Sequence, residues 1–382
     1  MDPFPALDPI PLPAPVWLFK LLHPVTFTLH IGSVLLLLGA LALATFWSFA
    51  ARLRRDPVQA AAAAALVRPL PILMTFVINL GVPPLLFSQV LYGRALYTSS
   101  ILIGVWWIAV IGLLMAGYHL LYAAAGRAGR GRSWGWFGLL ALVLFLKIAL
   151  IYSNNFTLLA RPEAWKAMYA HSPIGAQLAR GDATLLTRWL FLLAGAGALG
   201  GVGACLLGRL GSLDAGVRYS LGRTGGIVAA VCAALQAGLA IRLFLLHTPE
   251  LRQALLGAAL PAAALAAWAL AAAALIAAGF LCASRAKSGA LWPVLAACGA
   301  ALASVAAMVV VREALRDAAL RAAGFDVWER RVEANWGVIG LFLALFAGGI
   351  LGLAWLARVA ARAGGPVQPV TELGIATERG DA

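Results

Sequence analysis

The sequence is short of charge, and the little it has is lopsided. Only 12% of the 382 residues are Asp, Glu, Lys or Arg, while 63% are hydrophobic. Soluble domains run at roughly a quarter charged and half apolar. No polar stretch is long enough for a second domain, so the length reads as one bundle rather than several domains. Acids are the scarcer sign, 15 against 29 Lys and Arg. The arginines fall in short connections between apolar runs, as in membrane proteins, so the positive balance is not read as nucleic-acid binding. No apolar run has a carboxylate at its middle, which argues against a transporter that carries protons on Asp or Glu. The cysteines, Cys205, Cys232, Cys282 and Cys298, form neither CxxC nor CxxCH. That excludes a zinc knuckle and covalently attached c-type haem. HExxH, a Walker loop and GxSxG are also missing. Gly195, Gly197 and Gly200 spell GxGxxG, but inside an apolar run with no preceding strand, so they read as helix-packing residues.

What is present is a series of long apolar runs. A helix needs roughly 20 apolar residues to cross the hydrocarbon core. Runs of that kind cover residues 17–50, 69–92, 98–124, 134–159, 185–209, 223–246, 255–283, 289–311 and 335–361. The expectation is an all-α, polytopic membrane protein of about nine transmembrane helices over residues 17–362. The connections alternate in charge. One set, with Arg52, Arg54, Arg55, Arg68, Arg127, Arg130, Arg132 and the tail arginines, holds fifteen basic residues to five acids; the other holds thirteen to ten. The first set is expected in the cytoplasm, with the N-terminus outside and the C-terminus inside. Residues 1–16, with six prolines, read as an extended periplasmic lead-in, and 363–382 as a disordered cytoplasmic tail. Two outer connections are longer. Residues 162–180 place Trp165, Met168 and Tyr169 at helical spacing and read as an interfacial helix. Residues 312–334 read as a charged outer extension of helix eight, in which the Glu313–Arg316 and Asp317–Arg321 pairs suit a solvated face.

Polar groups inside the runs carry any chemistry. His23 and His30 are seven residues apart on the first helix, so they share one face, with His30 nearer mid-depth. Such a stripe suits either haem b ligation or a hydrogen bond to a neighbouring helix. Lys147, in the middle of the fourth run, could neutralise a haem propionate, line a polar pathway, or snorkel to water. His171 and His247 sit in outer connections and read as solvent-facing. Asn79, Gln89, Asn154, Asn155 and Gln236 read as interhelical hydrogen-bonding groups.

These residues lead to a family. Residues 23–40, HPVTFTLHIGSVLLLLGA, resemble the first helix of subunit I of cytochrome bd-type quinol oxidases, where a histidine precedes a glycine by nine residues, as His23 precedes Gly32. Residues 76–93, FVINLGVPPLLFSQVLYG, are similar to the family's INFALGV…EFQFG through Asn79, Gly81, Val82 and Gly93, with Gln89 at its glutamate. Asn154 to Thr157 lie where the family has N-G-W-M. The resemblance implies a bd subunit I-like bundle with His23 as the one retained haem ligand. The family's low-spin haem histidine falls at Phe191, its second-haem glutamate near Ala306, and its GRQPW signature is missing apart from an echo in Arg316. Oxygen reduction is therefore not expected. NLGVPPLLF-x-QVLYG, SNN-x-TL, RPEAW and RWL are similar to a branch that looks like membrane partners of multihaem c-type cytochromes.

The resulting expectation is a respiratory electron-transfer subunit of the bacterial inner membrane. It would bind one haem b through His23 or His30, link the quinone pool to a periplasmic c-type cytochrome or another respiratory subunit on the outer face, and sit in the lipid bilayer. The alternatives are a haem-free scaffold for such a cytochrome and, more remotely, a small-molecule transporter.

Overall fold

The computed structural model describes Phe4 and residues 11–178 and 181–363. Most of the lead-in and the tail from 364 onward lie outside the described residues. Among the described residues every regular element is a helix. In chain order they are α1 (Val16–Arg54), α2 (Pro57–Val67), α3 (Leu70–Leu102), α4 (Gly104–Gly129), α5 (Gly135–Leu159), α6 (Trp165–His171), α7 (Ala183–Leu210), α8 (Ala215–Leu246), α9 (Pro249–Leu256), α10 (Ala259–Ser284), α11 (Trp292–Ala322) and α12 (Trp336–Ala363). Among the described residues, eight segments are long and apolar enough to cross a membrane: α1, α2 with α3, α4, α5, α7, α8, α10 and α11. The chain is an all-α, multi-pass membrane protein.

Two compact units divide it. The first holds α1 to α11. The second joins residues 12–15 to the segment from Val332 through α12. Within it, Glu333 and Asn335 donate their amides to the carbonyls of Leu12 and Pro13 at 2.9 Å each. The apolar stretch of α12, Trp336–Gly349, is shorter than the eight segments of the first unit.

Local chemistry sets the helix boundaries. α2 begins where Asp56 accepts the Gln59 amide at 3.0 Å and Pro57 takes the first turn, a position where its missing N–H costs nothing. α3 runs through Pro83 and Pro84, and its one non-helical residue is Tyr92, at φ −124° and ψ 20°. The apolar run 289–311 and the charged stretch after it form one helix, α11. Its charged turn is not solvated as expected: Glu313 and Arg316 are only 5% and 6% exposed. In lipid an ionic cluster gains by turning toward the bundle interior, and this one does.

Glycine governs how closely the helices approach. A Cβ on Gly39 of α1 would stand 1.7 Å from the carbonyl oxygen of Ala196 in α7. Gly201 meets the Gly225 carbonyl of α8, and Gly226 meets that of Gly279 in α10. The GxGxxG run is part of the same packing, with Gly195 against Gln236, Gly197 against Cys232 and Gly200 against Gly39. Backbone contact of this kind replaces the hydrophobic driving force that lipid removes.

Gly39→Val should therefore cost more than the roughly 1–3 kcal/mol usual for overpacking, because the obstacle is backbone. Gly112, with no neighbour within 4 Å of an added Cβ, provides the control. Thermal unfolding in detergent should show a lowered midpoint for G39V only; equal midpoints for G39V and G112V would contradict the packing account.

Candidate functional site

A knot of charge ties α1, α3 and α11 at one end of the bundle. Glu313 lies at its centre. Arg316, one turn on, pairs with Glu313 Oε2, and Arg312 reaches Oε1 at 3.2 Å. From α1, Lys20 stands 3.8 Å from the same carboxylate and pairs with Asp317. Tyr92 of α3 accepts from Lys20 Nζ and donates to Asp317, both at 2.8 Å. The Arg316 guanidinium lies 3.6 Å from the Tyr92 ring centroid. The break in α3 falls at this tyrosine, whose side chain is fully buried.

His23 belongs to this knot. Its Nε2 lies 2.8 Å from Ser88 Oγ and its Nδ1 lies 3.3 Å from Glu313 Oε2. Its ring is parallel to that of Phe27, with centroids 5.8 Å apart. Nε2 is thus paired with Ser88, while Nδ1 faces the Glu313 carboxylate at ion-pair distance without hydrogen-bond geometry, and the residue is 1% exposed.

His30 sits differently. Its Nδ1 is 3.1 Å from the Val77 carbonyl oxygen. A carbonyl can only accept, so Nδ1 carries the proton and Nε2 keeps its lone pair. The ring fits against α3 because residue 81 is glycine: a Cβ there would come within 2.9 Å of His30 Cε1.

His30 lines a cavity of about 810 Å³ between the helices, within the usual range for small-molecule and cofactor sites. Its body is apolar, with Val34, Leu38, Val77, Leu114 and Phe145 among the wall residues. Four arginines also line it: Arg161, Arg188, Arg312 and Arg316. Arg312 is held between the rings of Phe27 and Phe156, 4.6 and 4.5 Å from their centroids. Arg188 donates to the hydroxyls of Thr157 and Thr184. Three lining residues have buried donors without a partner among the described residues: Trp189 and Trp268 through Nε1, and Arg316 through Nε and Nη1. Unmatched buried donors are costly, and they suit a ligand that brings acceptors.

No family model matches this chain, and no curated protein matches it. The site therefore stands on its own geometry. A haem, which the bd-type resemblance implies, fits one expected ligand and not the other. His30 offers a free Nε2, a ring braced by a backbone carbonyl, an apolar space and arginines for propionates. His23 stands with Ser88 on Nε2 and the Glu313 carboxylate 3.3 Å from Nδ1, the hydrogen-bonded alternative to haem ligation. Lys147 has its Nζ over the Trp106 ring at 4.1 Å, away from the residues that line the cavity. Phe191, at the position of the family's haem histidine, lines the cavity and packs on Trp268.

Several site residues escaped the reading of the sequence. Arg312, Glu313, Arg316 and Asp317 look like a solvated turn, yet they share one side of a helix whose other positions are Ala314, Leu315, Ala318 and Ala319. One-sided charge on an otherwise apolar helix was the available signal. Ser88 had none. His247, expected in solvent, is half-buried and lines the cavity.

Two ionisable residues that line the cavity, Asp182 and His247, set an acid limit. Partial burial pushes the Asp182 carboxyl up, but hydrogen bonds from Thr184 and the charges of Arg188 and Arg161 more than offset this and hold it below its ordinary value. Burial, aided by Arg188, likewise depresses His247, against the pull of Asp182. Both groups bind protons less readily folded than unfolded. Their stabilisation is complete above the unfolded values and is lost as pH falls through the folded ones. The His247 part should begin to fade below its ordinary value of 6.5. Unfolding midpoints should fall between about pH 7 and 5, and less steeply in His247→Gln; identical slopes would contradict this. Within the knot, Arg316→Met leaves Glu313 short of a partner and should cost about 3–5 kcal/mol, read as lost thermal stability. A wild-type midpoint would contradict the pairing.

Proposed function

We propose that this chain is an electron-transfer subunit of the bacterial inner membrane that holds one b-type haem through His30 and exchanges electrons with the quinone pool. The observation that carries the reading is the His30 ring, proton fixed on Nδ1 by the Val77 carbonyl, beside an apolar cavity lined also by arginines. Arg312 and Arg188 are suited to the propionates. A haem bound there supplies one-electron chemistry, cycling between ferric and ferrous iron. The protein's part is to exclude water with the apolar walls, set the ligand tautomer through Val77, and balance propionate charge. The same cavity and its unmatched donors suit the ring carbonyls and isoprenoid tail of a quinone.

The reading extends to the family and the topology. The chain is proposed to be a distant relative of cytochrome bd subunit I, with α12 as a ninth span, its N-terminus outside and its C-terminus in the cytoplasm. A periplasmic c-type cytochrome is the proposed partner, docking on the outer connections 160–184 and 312–334. Oxygen reduction is no part of it, since the family's other haem ligands have no counterpart. A second reading, a haem-free scaffold for that cytochrome, is favoured by one observation: His23, the ligand position shared with the family, is taken up by Ser88 and Glu313.

A reduced-minus-oxidised optical spectrum of the purified chain, with a pyridine haemochrome assay, separates the two. One b-type haem per chain is expected. It should be lost in His30→Ala and retained in His23→Gln. A folded, colourless wild type would reject the first reading and leave the scaffold.

A further inference from the structure

The order Ser88–His23–Glu313 places a hydroxyl, an imidazole and a carboxylate in line, with Ser88 Oγ at 2.8 Å from Nε2 and Glu313 Oε2 at 3.3 Å from Nδ1. Ser88 and Arg316 line the large cavity, while Lys20 and Asp317 sit at the other end of the knot with 12% and 17% of their side chains exposed. A hydroxyl in mid-helix usually returns its proton to a carbonyl one turn back, as Thr98 and Ser100 do. Ser88 does not; its hydroxyl meets His23. The same three groups serve acyl transfer elsewhere, but only beside donors poised for an oxyanion. Ser88 lies within α3, where the neighbouring amides are committed to helix bonds, so the line is built for protons rather than for a nucleophile.

We infer that Ser88, His23 and Glu313 form a proton relay between the cavity and the Lys20–Asp317 pair at the end of the bundle. The inference rests on the proposed function only for what supplies the proton, a quinol. When a quinol is oxidised, two O–H bonds break and the ring gains two carbonyls. A ferric haem, where bound, would take the two electrons one at a time, giving up the first to the proposed cytochrome partner before the second, and the two protons would enter the relay in succession. A proton reaching Ser88 Oγ displaces the hydroxyl's own proton onto His23 Nε2. The Nδ1 proton crosses the 3.3 Å to Glu313 and from there passes to Asp317, the partner of the Lys20 ammonium. The ring is left as its Nε2–H tautomer; rotation then presents the bare Nδ1 to Ser88 and Nε2–H to Glu313, so the next proton enters and leaves through the exchanged nitrogens. The groups facing His23 are Glu313, Arg312 and Arg316 from α11, Ser88 and Tyr92 from α3, and Lys20 from its own helix. Arg312, Arg316 and Lys20 disfavour a protonated Glu313, so a proton that reaches it is passed on rather than held.

The test is ¹⁵N NMR of the full chain, labelled on histidine and held in lipid nanodiscs, with H23Q to assign the His23 signals. The relay predicts exchange of His23 between its two tautomers. In Ser88→Ala that exchange should slow by at least about tenfold, with Ser88→Thr restoring it and the His30 signals unmoved. Wild-type exchange persisting in both S88A and E313Q would overturn the relay. The optical spectrum of the same sample keeps the two ideas apart. A colourless sample with Ser88-dependent exchange supports the relay and rejects the haem, whereas a haem-bearing sample whose His23 exchange ignores S88A and E313Q rejects the relay alone.

Discussion

The arrangement at this end of the bundle depends on one buried carboxylate. Glu313 faces Arg316, Arg312, Lys20 and His23, contributed by two helices. An isolated charge in this setting would cost many kcal/mol, and even a good pair only roughly recovers its desolvation. The cluster is therefore weak evidence for stability, but it fixes register strongly. Sliding α11 against α1 by one turn would separate Glu313 from His23 and Asp317 from Lys20, and each separation leaves a charge stranded. The helices below are packed through glycine, where small residues allow several registers. The charged knot selects one.

That selection divides the labour between two histidines which look equivalent in the sequence. The knot draws His23 into its interior, between Ser88 and Glu313. One heptad further in, His30 is beyond the reach of any charge. It rests instead on a backbone carbonyl and against Gly81, facing the cavity. Position along one helix thus decides which ring is a structural and proton-handling group and which can meet a ligand. Arg312 and Arg316 connect the two regions, since they pair with Glu313 and also line the cavity.

The architecture was largely legible because lipid leaves so few options. Long apolar runs must be helices, and the runs near 17–50, 134–159, 185–209 and 223–246 lie close to α1, α5, α7 and α8. The short helix α2, an alanine-rich segment set off by Asp56 and Pro57, was not legible. The charged extension of the eighth run was read as helix, and it is continuous with α11 as far as Ala322, but its burial was hidden by a change to charged composition that resembles an exit into water. The site was half legible. Periodicity put His23 and His30 on one stripe, but no local pattern says which partner each ring meets. Ser88 and Gly81 matter only through residues about fifty or more positions away. Lys147 drew attention as a lone charge in mid-run, yet a nearby tryptophan face, Trp106, is what holds it.

The claim on which the account turns is that the two histidines serve different masters. A cryo-electron microscopy map of the full chain in lipid nanodiscs, at a resolution that separates side chains, tests it most directly. The account predicts His23 enclosed by Ser88 and Glu313, with ligand density in the cavity approaching the Nε2 side of His30. A macrocycle seated on His23, with Glu313 turned away from it, would contradict the account.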